Sequence, residues 1–460
     1  MMKNMKRISA ILLALLMILS LTGCVSAYVD KTTEAPAQTT KAPEQTTQVP
    51  ATQSTTEAPA QATEADIAGQ KLVVWYAVSG ASGELFNSLS EKFAKEYGVE
   101  LELSYSGGSG DTATKVSAAL LTHTQPDVCL MYAGPLYTGG EGDFRIESLI
   151  DSTSDFDKAD IFEGMIDYCN YMDQGICALP FGISTQVMYY NKDILKAAGV
   201  DMTNPPKTWA EFYDVLGQVM EKGSNGNADF KAFDTTDEAW LFKSMLMQNG
   251  CTIIENNNGE ITPVFNNEKA VEVGDYWKSL VDAGYMAAAK HNNAENSFLG
   301  GNLAFVAASS NRITRWTGTT TFELGAIEMP YFTQPSLALG GNVIVLLTED
   351  ESKVAAAWKY MTYLTNADSN TEFALGTGYL PIHKSALERK EVKDAIASNE
   401  LYTVAFNQLS YTWAYTHFQE MGTMDTQIKA ALGKLEKGRG TSQELLNKAV
   451  KEVLDEIDDK

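Results

Sequence analysis

Residues 71–132 read KLVVWYAVSGASGELFNSLSEKFAKEYGVELELSYSGGSGDTATKVSAALLTHTQPDVCLMY, and their hydrophobic period switches four times. Residues 72–77 form an apolar run, 84–97 carry apolar side chains at helical spacing, 99–105 alternate, 111–121 are helical again and 127–132 are apolar. That order, β-α-β-α-β, predicts an α/β fold with a mainly parallel sheet and helices on both faces. Ligands of such sheets sit beyond the carboxyl ends of the strands. The loops after Ala77, Tyr105 and Tyr132 are therefore the first places to seek contacts. They read Val78-Ser79-Gly80-Ala81-Ser82-Gly83, Ser106-Gly107-Gly108-Ser109-Gly110 and Ala133-Gly134-Pro135, which are small and rich in accessible backbone.

Upstream, Lys3, Lys6 and Arg7 precede an apolar run over 8–21 that is too short for a comfortable bilayer span, and small residues follow at once. This is the pattern of a cleaved export signal, residues 1–23. Leu21-Thr22-Gly23-Cys24 resembles the bacterial lipobox, which implies that the Cys24 thiol receives diacylglycerol and becomes the mature N-terminus. Residues 24–69 then form a tether in which Thr32-Thr33-Glu34-Ala35-Pro36-Ala37-Gln38 recurs as Thr39-Thr40-Lys41-Ala42-Pro43-Glu44-Gln45. Proline at each recurrence excludes a helical heptad, and residues 30–68 bury too little apolar surface to offset their ordering entropy, so disorder is expected. A flexible coil of that length spans about 35–40 Å.

Some 390 residues remain, roughly the size of two domains. The formal net charge of −24 becomes −27 once the three cations of the signal are removed. Such a balance repels phosphate backbones and anionic lipid headgroups, so nucleic acid is not an expected partner and the membrane is reached only through the N-terminal lipid. Cys129, Cys169, Cys177 and Cys251 show neither a Cys-x-x-Cys pair nor zinc spacing. No metal or cofactor is expected. Cys169 and Cys177 flank Met172-Asp173-Gln174-Gly175, which reads as a hairpin turn; they either pair across two strands or remain separate thiols. His123, His291, His383 and His417 are isolated, there is no Gly-x-Ser-x-Gly elbow, and the Gly107–Gly110 loop lacks the lysine of a P-loop. Among 59 acidic residues no pair stands out as glycosidase carboxylates.

Further along, strands are expected at 178–181, 186–191, 303–308, 322–327 and 342–347. Helices are expected at 192–199, from the N-cap Thr208, at 238–249, 268–283 and 354–364, and after Ser385.

Several segments together resemble the family 1 extracellular solute-binding proteins of bacterial ABC importers, most closely the branch of glycerol-3-phosphate and disaccharide binders. They are Leu179-Pro180-Phe181-Gly182, Val187-Met188-Tyr189-Tyr190-Asn191-Lys192-Asp193, Pro205-Pro206-Lys207-Thr208-Trp209, Phe298-Leu299-Gly300-Gly301-Asn302-Leu303, Gly340-Gly341 and Thr377-Gly378-Tyr379-Leu380-Pro381. The resemblance implies a periplasmic-binding-protein-like fold of two interleaved α/β lobes that close on a ligand by hinge bending. Mapped here, one lobe holds 70–182 and 294–332, the other 183–293 and 333–460, with crossings near 181–184, 292–296 and 331–341. It further implies capture without chemistry and delivery of the ligand to permease subunits; with the Cys24 lipid this places the protein on the extracytoplasmic face of the cell membrane, with a monomer as the default state.

A carbohydrate pocket needs aromatic planes for sugar C–H faces and polar groups for hydroxyls. The resemblance assigns Tyr379, Trp240, Ser184, Ser309 or Ser310 and the backbone of Gly340 and Gly341 to the ligand. Trp75, Ser109 and Tyr132 are added from their positions at strand ends and in loops. Glycerol-phosphate binders carry an arginine just before the C-terminal helices, where this chain reads Thr416-His417-Phe418-Gln419-Glu420-Met421-Gly422, and an acidic contact that falls near Ala133 here. Without the guanidinium a dianion is left unpaired. A neutral mono- or oligosaccharide is the expected ligand, with a polyol or sugar phosphate as alternative if Arg312 or Arg315 supplies charge. A surface glycoside hydrolase or an adhesin is the reading from another class.

Overall fold

The computed structural model describes residues 67–132, 145–171, 175–224, 226–414 and 417–458. The expected signal 1–23, Cys24, nearly all of the tether and the loop Ala133-Gly134-Pro135 lie outside these residues. Thirteen strands are described: β1 Lys71–Tyr76, β2 Glu100–Tyr105, β3 Val128–Tyr132, β4 Leu179–Ser184, β5 Gln186–Asn191, β6 Lys231–Thr235, β7 Ile254–Asn257, β8 Glu260–Pro263, β9 Leu303–Ser309, β10 Leu324–Ile327, β11 Leu337–Ala338, β12 Gly340–Leu346 and β13 Thr412–Trp413.

The opening stretch folds as its periods dictate. β1 pairs in parallel with β2 and β3, through the helices Gly80–Tyr97 and Ser109–Leu120. The first helix stops where Gly98 adopts φ 68° and its N–H caps the Ala94 carbonyl, a left-handed conformation glycine takes without Cβ strain. Its apolar positions Phe86, Leu89 and Phe93 are buried at helical spacing. Downstream, Thr208 caps the helix Trp209–Lys222 with Glu211 returning the bond, as the sequence indicates.

Two sheets result, in the orders β2-β1-β3-β12-β4 and β10-β5-β9-β6. Only part of each is parallel. β12 runs antiparallel to both β3 and β4, and β5 runs antiparallel to β9 and β10, so the mainly parallel sheet of the sequence reading is corrected to two mixed sheets.

The expected lobe boundaries are also corrected. β9 and β10, placed by sequence with the first lobe, pair with β5, and β9 also with β6; β12, placed with the second, fills the gap between β3 and β4. The first body is thus built on 71–184 and 340–377, the second on 186–338 and 421–458. Thr185 alone separates β4 from β5, and Leu339 alone separates β11 from β12, so these are the first two crossings. The third is at β13, whose parallel pairing with β11 lays it beside the second; residues 292–296 are not a crossing, but lead into the helix Ala294–Leu299 packed on β9.

Cys129, Cys169, Cys177 and Cys251 are buried, and none of them is joined in a disulfide. Cys177 N–H donates to the Cys169 carbonyl at 2.9 Å, beside an isolated bridge between Asn170 and Ile176, while Met172-Asp173-Gln174 of the expected turn lie outside the described residues.

Candidate functional site

Gly340-Gly341-Asn342 opens β12 where the two bodies meet. Gly341 has φ 109°, and a Cβ there would lie 2.1 Å from the Gly182 carbonyl oxygen of β4. Only glycine allows that approach. Gly340 stands opposite Ser184, and a Cβ on it would lie 2.7 Å from the Trp240 ring. Trp240 belongs to the helix Glu238–Gln248 of the second body, where its indole N–H donates to the Ala338 carbonyl at 2.9 Å. Asp237 caps that helix.

Asn342 is the residue about which the site assembles. The register of β12 on β4 shifts between Asn342 and Val343, a bulge that re-aims a side chain at a sheet edge. Asn342 stands opposite Tyr132, is 2% exposed, accepts from Ser109 Oγ at 2.8 Å and donates to the Tyr379 hydroxyl at 3.4 Å. The Tyr379 ring lies nearly parallel to Phe373, with centroids 5.7 Å apart. Burial raises the Tyr379 pKa, while Asn311 and Arg312 of the second body pull the other way. From the end of β9, Ser310 N–H donates to Thr185, and its hydroxyl is fully buried with no partner among the described residues. Ser309 stands opposite Gln186, and its carbonyl accepts from the Tyr189 hydroxyl at 3.0 Å.

Of the residues singled out by sequence, Ser109, Tyr132, Ser184, Trp240, Ser309, Ser310, Gly340, Gly341 and Tyr379 therefore gather along one seam. Trp75 does not. It sits in β1 opposite Cys129, three residues back from Tyr132 along β3, and is half-buried against the first core.

Three residues of the seam were not anticipated: Asn342, Lys243 and Asp425. Lys243 is almost wholly buried, and its ammonium donates to Asp425 at 2.6 Å. Burial works against its charge, but Asp425 first and then Tyr132 outweigh this and raise its pKa. His417 behaves oppositely: burial, helped by the Lys243 charge, lowers it to about 3. A single lysine among the buried Ala239, Leu241, Phe242, Met245 and Leu246 was the available signal for Lys243, and a polar residue heading the apolar run 343–347 was that for Asn342.

The unprotonated His417 has a consequence for pH. The unfolded chain binds a proton near pH 6.5 and the folded chain only near 3, so stability falls as pH drops across that window. Denaturant midpoints measured from pH 7 to pH 4 will decline, and His417→Gln will flatten the slope. An unchanged slope in that variant assigns the acid sensitivity elsewhere.

Arg312 and Arg315 share one carboxylate, Glu295, at 3.1 and 2.8 Å, and Arg312 also donates to Asn311.

Residues 88–400 match the profile of a family described as bacterial extracellular solute-binding protein. Among curated proteins, the chain is 24% identical over 405 residues to an sn-glycerol-3-phosphate-binding periplasmic protein, UgpB, of Pectobacterium atrosepticum, covering 83% of this chain and 90% of that one. Among solved structures, it is similar to the cyclic α-maltosyl-1,6-maltose binding protein of Arthrobacter globiformis, with TM-score 0.71 and 20% identity over 83% of this chain and 97% of that one. It is also similar to UgpB of Mycobacterium tuberculosis in complex with glycerophosphocholine, with TM-score 0.72 and 21% identity over 84% of this chain and 99% of that one.

Proposed function

Since the chain belongs to the bacterial extracellular solute-binding proteins, we propose that it captures an uncharged mono- or oligosaccharide between its two bodies and delivers it unaltered to the permease of an ABC importer. The observation that carries the ligand class is charge pairing at the seam. Lys243 is held by Asp425, and Arg312 and Arg315 by Glu295, so these cations already have counter-charges. A dianion entering here would have to displace a carboxylate, whereas hydroxyls need only donors and acceptors. The buried, unpartnered Ser310 hydroxyl and the half-buried Trp240 plane are groups of that kind.

In this reading the ligand bridges both bodies and stabilises their closed arrangement, with rotation about the crossings at Thr185, Leu339 and β13. The protein acts as a monomer, anchored through lipid on Cys24 outside the membrane, and performs no chemistry on its cargo.

A thermal-shift panel tests the ligand. Neutral oligosaccharides are expected to raise the unfolding temperature, and glycerol 3-phosphate and glycerophosphocholine are not. A shift with the phosphorylated compounds alone replaces the sugar reading with the one the sequence relatives suggest, and then requires Lys243 to leave Asp425. Hydrolysis of the sugar overturns the binding role. In the same assay Trp240→Ala is expected to weaken sugar binding by about 2 kcal/mol, roughly thirtyfold, through loss of the stacking plane.

A further inference from the structure

A cavity of about 520 Å³ lies between the C-terminal end of the helix Met421–Leu435, the segment around Ala289 and Asn292, and Glu238 at the start of the helix Glu238–Gln248. None of the seam residues lines it. Its floor is a closed relay. His291 Nδ1 meets Asp234, His291 Nε2 meets Glu436 at 2.9 Å, the Trp277 indole donates to Glu436 at 2.8 Å and the Ala289 N–H takes the other Glu436 oxygen at 2.6 Å. With both oxygens engaged, Glu436 serves the relay and is not a counter-ion for the rim.

The rim carries Lys429, Lys434, Lys437 and Arg439. Lys429 is paired with Asp237 at 3.3 Å. Lys434, Lys437 and Arg439 are exposed and have no carboxylate partner among the described residues. Lys434 lies in the last helical turn and complements the helix dipole. Lys437 and Arg439 lie beyond that turn and are not explained in this way. The cavity's remaining carboxylate, Glu238, acts on Lys429, so Lys434, Lys437 and Arg439 face one concavity with no carboxylate paired to them, and a bound anion would relieve their mutual repulsion.

We propose that this cavity is a second ligand site, separate from the seam, for a small multivalent oxyanion whose phosphate groups bridge Lys434, Lys437 and Arg439. Arg439 supplies the planar fork suited to a phosphate and the lysines supply point charges. A concave volume of this size fits a small molecule, where a membrane or a protein face would call for a flatter basic surface. Phosphate could reach it free or as a headgroup, and the experiment separates the two.

The full mature protein is titrated with pyrophosphate and with inorganic phosphate by calorimetry at physiological salt. Saturable one-to-one pyrophosphate binding is expected. It should weaken about tenfold or more in the triple variant Lys434→Gln, Lys437→Gln, Arg439→Gln, whose exposed positions leave the fold intact by circular dichroism. Trp240→Ala should leave it unchanged. No saturable binding, undiminished binding in the triple variant, or loss in Trp240→Ala each overturns the proposal; the last would move the anion to the seam. Co-sedimentation with phosphatidylglycerol but not phosphatidylcholine vesicles, on top of pyrophosphate binding, identifies a headgroup source. Vesicle binding without pyrophosphate binding reduces the feature to a basic patch and also overturns it.

Discussion

Gly341→Ala is expected to lower the unfolding free energy by about 3 kcal/mol or more, among the largest effects a single methyl group can have. Two causes act together. The backbone at φ 109° is one that L side chains rarely adopt, and the added Cβ would lie 2.1 Å from a main-chain oxygen, that of Gly182, which has no rotamer by which to yield. β12 and β4 must separate at their first rungs. Because Asn342 follows directly, the separation also withdraws the amide that joins Ser109 to Tyr379. The measurement is a pair of denaturant titrations with Gly340→Ala as comparison. There the obstacle is the edge of the Trp240 ring, a side chain able to shift, so stability should fall less. Equal and small losses in both variants would show that β12 tolerates displacement at this end.

Asp425→Ala is the second large effect. It removes the carboxylate 2.6 Å from an ammonium whose side chain is only 2% exposed. Removing the carboxylate partner of a buried charge costs about 3–5 kcal/mol, while deleting both members of such a pair is often close to neutral. The double variant Lys243→Met, Asp425→Ala should therefore be more stable than Asp425→Ala alone, by several kcal/mol in denaturant titration. Affinity provides an independent readout. If the pair keeps the seam electrically balanced, Asp425→Ala should newly admit glycerol 3-phosphate, and the double variant should not. Additive losses in the two single variants would mean that the pair is not coupled.

The opening β-α-β-α-β segment was legible because strand-like runs alternate there with two helices of clear amphipathic spacing. Helix 80–97 declares itself by Phe86, Leu89 and Phe93, and the stop at Gly98 is written in one residue. The partners of the later strands were not legible. The runs that became β9 and β12 are both short and apolar, and such a pattern reports burial without saying which neighbours bury it. Their exchange between the two bodies therefore had to come from register. The site divides in the same way. Glycines 340 and 341, Tyr379, Ser184, Ser309 and Ser310 were singled out through the family resemblance, and Ser109 and Tyr132 through loop position, and the fold brings them to one seam. Lys243 was passed over because a lysine on a helix ordinarily reads as solvated, and only three-dimensional packing reveals that this one is enclosed. Trp75 misled because closeness to a strand's end in the chain is not closeness to the sheet's edge in space.

The insertion of β12 between β3 and β4 also sets the order of events during synthesis. The flanking strands are complete by residues 132 and 184, yet the strand that joins them begins only at residue 340. Until the ribosome has delivered that segment the first sheet is split, its inner edges are unpaired, and closure of so long a loop is slow. Fragments ending before β12 are expected to aggregate or be degraded rather than persist as a half-molecule.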